Sequence, residues 1–164
     1  MSNPKINIPP DQQDKVLEGL SLIGLILMPV TLLFFYGDLP PEIPLNFNVQ
    51  GQPDSYATKE TIWILPALAL MLFVMLTAIQ GSPHQFNYSV PITPENAADQ
   101  YRNALRMLRW LKTVIIGLFV YLQWGIIQVG MGHWMGLGPI FLPLLLIILF
   151  GVIGFFVHRS YKLK

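Results

Sequence analysis

The chain has 164 residues, of which 53% are hydrophobic, with ten bases, nine acids, no cysteine and a net charge of +1. Only 12% of residues are charged, about half the share of an average soluble domain, so a water-soluble globule is a poor fit. The absence of cysteine excludes disulfides, thiolate metal sites and cysteine catalysis, and the near-neutral charge offers no electrostatic footprint for nucleic acid.

Residues 1–18 are polar and carry both signs of charge. They lack the basic start, short apolar core and small-residue cleavage site of a secretory signal, so the first apolar segment reads as a retained anchor. A spanning helix needs about 20 apolar residues to cross roughly 30 Å of hydrocarbon. Four segments, at about 19–36, 61–79, 113–129 and 137–157, meet that need without Asp, Glu, Lys, Arg or His. A charge at the bilayer centre costs at least ~2.5 kcal/mol. The expected fold is therefore an all-α membrane protein, a four-helix bundle in lipid.

Nine of the ten bases lie in three regions that share one side: 1–18, 81–112 and 158–164. Lys59 alone lies opposite, among Asp38, Glu42, Asp54 and Glu60. The positive-inside rule places the nine, and both termini, in the cytoplasm. Tyr36, Trp63, Trp110, Trp134 and Tyr161 fall near span ends, where amphipathic rings settle. Pro29, Pro66, Pro139 and Pro143 are expected to kink the spans, and Gly117, Gly125, Gly151 and Gly154 to allow close helix approach.

The outer loop, 37–60, is patterned. Ile43, Leu45, Phe47 and Val49 alternate with Pro44, Asn46, Asn48 and Gln50, the period of an extended segment with one apolar face. Turn chemistry follows from Gln50 to Asp54, and Thr58 is placed to cap the second helix. The apolar face is expected to pack on the bundle mouth, leaving Asn46, Asn48 and Gln50 on a polar surface.

Leu39-Pro40, Ile43-Pro44, Phe47-Asn48, Gly51, Pro53-Asp54 and Lys59 stand at the spacing LP-x-x-IP-x-HFN-x-x-G-x-PD-x-(aromatic)-x-x-K. The segment thereby resembles the family of domain of unknown function 1648, whose members include SdpI-type membrane immunity proteins. The resemblance implies a bacterial cytoplasmic-membrane protein that binds a secreted peptide, with a role in immunity or sensing. The usual histidine before Phe-Asn is Asn46 here, and an amide neither titrates nor readily binds zinc. Tyr56 takes the aromatic position.

On the inner side, Phe86, Tyr88, Val90 and Ile92 alternate with Gln85, Asn87 and Ser89. Thr93-Pro94-Glu95-Asn96 is a helix start, and residues 94–112 are expected to run into the third span as an amphipathic helix. Its stripe of Arg102, Arg106 and Arg109 is expected to meet anionic headgroups or a partner protein. His84, His133 and His158 lie on different sides of the membrane and cannot form one site within a subunit.

No catalytic constellation appears, and neither a metal nor another cofactor is implied. The preferred reading is a binding, immunity or sensor module whose outer loop contacts an extracytoplasmic peptide or lipid-borne ligand. Its candidate residues are Asn46, Asn48, Gln50, Asp54 and Lys59. The alternatives are an accessory subunit of a larger membrane complex, or an oligomeric transport or channel subunit.

Overall fold

A computed structural model describes residues 3–164. Four long helices dominate: α1 (Gln12–Phe35), α2 (Ile64–Ile79), α3 (Ala97–Gly130) and α4 (Phe141–Lys162). With the 3-10 turn Lys59–Trp63 added to α2, all four are long and apolar enough to cross a membrane. The chain is a multi-pass membrane protein. Between α1 and α2 it also forms a two-stranded antiparallel hairpin, β1 (Glu42–Phe47) and β2 (Pro53–Thr58), which an all-α description leaves out.

The third span and the preceding amphipathic segment are one 34-residue helix. Reciprocal bonds between Thr93 and Asn96 cap its start: the Thr93 N–H donates to Asn96 Oδ1 at 2.9 Å, and the Asn96 N–H to Thr93 Oγ1 at 3.3 Å. Upstream, Phe86, Tyr88 and Val90 turn inward while Gln85, Asn87 and Ser89 are exposed, so the alternation is kept without a strand. Tyr88 stacks between Phe86 and Tyr101, at centroid separations of 6.2 and 5.5 Å.

α1 and α3 run parallel and touch along most of their length. Gly24 lets them approach: a Cβ there would lie 2.8 Å from Ile116 Cγ2. Farther along, Gln123 Nε2 donates to the Met28 carbonyl at 2.8 Å and to Thr31 Oγ1 at 2.7 Å, beside Pro29. Where the helices end, Leu32 joins Ile126 and Ile127 in a core completed by Leu39, Ile43 and Ile62. The first part of the hairpin is thus packed into the bundle.

Several of the glycine and proline expectations need correcting. Gly117, Gly151 and Gly154 face open space; of the expected four, Gly125 alone is closely approached, by Leu137 of the α3–α4 loop, and close helix approach falls at Gly24. Pro29 lies in the interior of α1, beyond its first turn. Pro66 falls just after the 3-10 turn gives way to α2, Pro143 occupies the first turn of α4, where the missing N–H has no intrahelical partner to lose, and Pro139 precedes α4.

The N-terminal segment, the start of α3 and the end of α4 meet at one end of the bundle. There Tyr101 Oη donates to the Pro4 carbonyl at 2.9 Å and Gln100 Nε2 to the Ser160 carbonyl at 2.9 Å. The hairpin and the α3–α4 loop occupy the other end.

Candidate binding cleft at the hairpin end

The hairpin turn is built by Asn48. Its Oδ1 accepts from the N–H groups of Gln50 and Gln52, both at 3.0 Å. Its own N–H donates to the Gln52 carbonyl at 2.9 Å, and its carbonyl accepts from Gly51 N–H at 2.8 Å. Gly51 has φ +75°, a left-handed conformation that favours glycine. Its carbonyl accepts from Leu137 N–H at 2.7 Å, clamping the hairpin to the α3–α4 loop through backbone alone. A Cβ at 51 would sit 2.8 Å from the Gly138 nitrogen. Both the conformation and the approach demand glycine.

The expected alternation along β1 holds only in part. Ile43 is buried and Phe47 half-buried, but Leu45 and Val49 are 47% and 66% exposed. Register shifts on either side of Asn46 explain this: Pro44 pairs with Tyr56 and Asn46 with Ser55, so Leu45 is left over as a bulge. A bulged residue breaks the two-residue period and turns its side chain out of the sheet.

Between the bulged strand and the ends of α3 and α4 lies a cleft of about 260 Å³. Asn46, Asn48, Leu45 and Val49 line one wall, and Leu122 and Leu142 the other. A shallower hollow of about 430 Å³, with Gln50, His133 and Trp134 on its walls, lies on the other side of the Gly51 clamp. Asn46 Nδ2 donates across the strands to Ser55 Oγ at 2.8 Å, leaving its carbonyl oxygen for a ligand. Asp54 is exposed and borders neither hollow. Lys59 turns inward, with Nζ 3.4 Å from the Tyr36 carbonyl and 4.7 Å from the Tyr36 ring centroid. A cation on the last carbonyls of α1 opposes the negative end of that helix. The five candidate residues therefore divide. Asn46 and Asn48 share the cleft, Gln50 lies beside it, and Asp54 and Lys59 stand apart.

The opposite end holds a cluster that sequence reasoning missed. Arg106 and Arg109 do not form a free basic stripe; they meet acids of α1. Asp14 lies 3.1 Å from Arg106 and 3.2 Å from Arg109, and Arg106 also pairs with Asp11. Glu18 lies 3.6 Å from Arg109 and pairs with Lys112. Three carboxylates and three bases thus alternate in a ladder between the two helices. Asp14 is 1% exposed and Lys112 fully buried. Lys112 also donates to Thr77 Oγ1 of α2 at 2.8 Å and lies over the Phe73 ring. Asp11 is held below the usual carboxylate range, first by the Asp14 backbone N–H and further by Arg106. Arg102 alone keeps an outward position, bonded to Asp99 at 3.3 Å. The missed signal was spacing: acids at i, i+3 and i+7 on α1 make one helix face, as do bases at i, i+3 and i+6 on α3.

No group of three His, Asp or Glu residues suited to a metal occurs among the described residues.

Residues 23–70, covering much of α1, the whole hairpin and the first turns of α2, match the family described as domain of unknown function DUF1648. An uncharacterized protein of the archaeon Archaeoglobus fulgidus is 37% identical over 54 residues, which is 33% of this chain and 30% of that protein. The chain therefore spans under a third of the length of that relative. No solved structure matches the chain.

Proposed function

We propose that this DUF1648-domain protein is a binding module of a cytoplasmic membrane, with both termini in the cytoplasm and the hairpin end outside. Nine of ten bases at the terminus-bearing end support that orientation. The ligand is an extracytoplasmic peptide or lipid-borne molecule received by the cleft beside β1. One observation carries the reading: Leu45, left over as the bulge, and Val49, in the turn, stand 47% and 66% exposed beside an amide whose oxygen accepts no bond among the described residues. Large apolar side chains held out on a rigid support beside a polar group are the usual make-up of a binding hollow. The turn below them is clamped by backbone, so little ordering cost falls on binding. Protection against a secreted peptide, or sensing of one, follows from the family resemblance.

The test is survival. Cells lacking the gene are challenged with peptides secreted by their own and neighbouring strains, then complemented with wild type, Asn46→Ala or Leu142→Trp. Sensitivity should be reversed by wild type and poorly by either variant. Equal survival of every strain refutes the reading.

A further inference from the structure

The hairpin has one covered strand and one bare one. β1 lies against α3, whereas β2 packs extensively on β1 alone. Which backbone groups β2 offers follows from the register. Lys59 N–H donates to the Pro41 carbonyl at 2.9 Å, so that pair is a hydrogen-bonded one. Hydrogen-bonded and open pairs alternate along an antiparallel ladder. Ile43 and Ala57 are therefore hydrogen-bonded, while Glu42/Thr58 and Pro44/Tyr56 are open pairs. The N–H and C=O of Tyr56 and Thr58 consequently point away from β1. Thr61 Oγ1 donates to the Thr58 carbonyl at 2.8 Å. Tyr56 N–H, Tyr56 C=O and Thr58 N–H have no partner among the described backbone bonds outside helices and strands. On β1 the equivalent outward donor at position 44 is absent, because that residue is proline.

The exposed charges of the outer loop that carries this edge are of one sign. Asp38, Glu42, Asp54 and Glu60 are all exposed and none has an ion-pair partner among the described residues. The one base nearby, Lys59, is turned to the Tyr36 carbonyl and ring. Along β2 the exposed positions are Asp54, Tyr56 and Thr58; Tyr56 and Thr58 share one face, and Asp54 is the unpaired residue at the second register shift beside them. Tyr56 is 59% exposed.

We infer that β2 is a docking edge for a cationic peptide segment that adds to the hairpin as a third strand. Strand addition takes its affinity from main-chain hydrogen bonds and its selectivity from alternate side chains. Here the alternate positions of the incoming strand come beside a carboxylate and an aromatic ring. Lysine or arginine there gains both an ion pair with Asp54 and a cation–π contact with Tyr56. A second copy of this chain is the poorer occupant, since it would bring two outer loops with the same unpaired acids together. The inference goes beyond the cleft reading above: the edge is a second surface, with a partner chemistry and mode of its own.

Thr58→Pro tests it. Thr58 already has φ −62°, the value proline requires, and its N–H is the outward one, so the change removes a docking donor without straining the hairpin. Thr58→Ser keeps the donor and is the control. The full chain in lipid nanodiscs is titrated with a labelled ten-residue peptide of alternating lysine and valine. The comparison probes are the same peptide N-methylated throughout and an alternating glutamate–valine peptide. The lysine peptide should bind and slow amide exchange at Tyr56 and Thr58. Thr58→Pro should weaken binding about tenfold, the scale of one lost hydrogen bond, and methylation throughout or acid replacement by at least as much.

Equal affinity of the methylated peptide, equal affinity of Thr58→Pro, no binding of any probe, or crosslinking of two copies through position 56 overturns the inference. Binding abolished by Leu142→Trp yet indifferent to Thr58→Pro leaves the cleft standing and removes the edge. The reverse pattern leaves the edge and removes the cleft.

Discussion

Glu18 and Lys112 form the innermost rung of the ladder between α1 and α3, and they should respond unequally to truncation. Lys112 is fully buried, with the Phe73 ring and Thr77 as its remaining company, while the Glu18 side chain is 32% exposed. Removing one partner of a buried pair costs about 3–5 kcal/mol when the charge left behind cannot reach water. Glu18→Leu strands the lysine in that state and should cost about that much. Lys112→Met strands a carboxylate that can hydrate and keeps Arg109 at 3.6 Å, so about 1–2 kcal/mol is expected. The double variant leaves no orphaned charge and should recover most of the loss suffered by Glu18→Leu, because replacing a whole buried pair with apolar groups is often neutral. Unfolding in mixed dodecylmaltoside–SDS micelles, followed by tryptophan fluorescence, measures all three. The reasoning fails if Lys112→Met proves the costlier single change, or if the double variant is no more stable than Glu18→Leu.

Gly51→Ala should detach the hairpin from the α3–α4 loop. A left-handed backbone costs alanine about 1–2 kcal/mol, before the overlap with the Gly138 backbone is counted. Loss of amide protection at Leu137 reads the detachment. Gln123→Leu removes bonds to the Met28 carbonyl and Thr31 Oγ1 and should destabilise the bundle by about 1 kcal/mol, by the same unfolding assay. Asp11 has a lowered pKa in the folded protein, so it contributes stability above its unfolded value and loses it as pH falls through the lower folded value. Melting temperature measured from pH 6 to pH 2 should drop through the acidic limb, and Asp11→Asn should flatten that drop. A cysteine at Asn48 should react with a membrane-impermeant reagent on intact cells; labelling only after permeabilisation would invert the proposed orientation.

Four apolar spans, an extended segment and turn between the first two and the run of the amphipathic segment into α3 are legible in the sequence; the pairing of that segment into a hairpin is not. The energies behind them are local. Hydrocarbon rejects charge residue by residue, and neither proline nor glycine interrupts residues 95–116. The motif from Leu39 to Lys59 is legible too, but as spacing rather than purpose. Tertiary structure alone shows that Asn48 and Gly51 build and clamp the turn, that Lys59 closes α1, and that a bulge turns Leu45 outward against the simple alternation. It also pairs the acids of the N-terminal segment with bases some 90 residues away. A charge count sees those bases as a free stripe. Whether a charge meets lipid or an opposite charge depends on which helix lies alongside, and helix neighbours are chosen by packing at positions such as Gly24 and Ile116, far along the chain from one another.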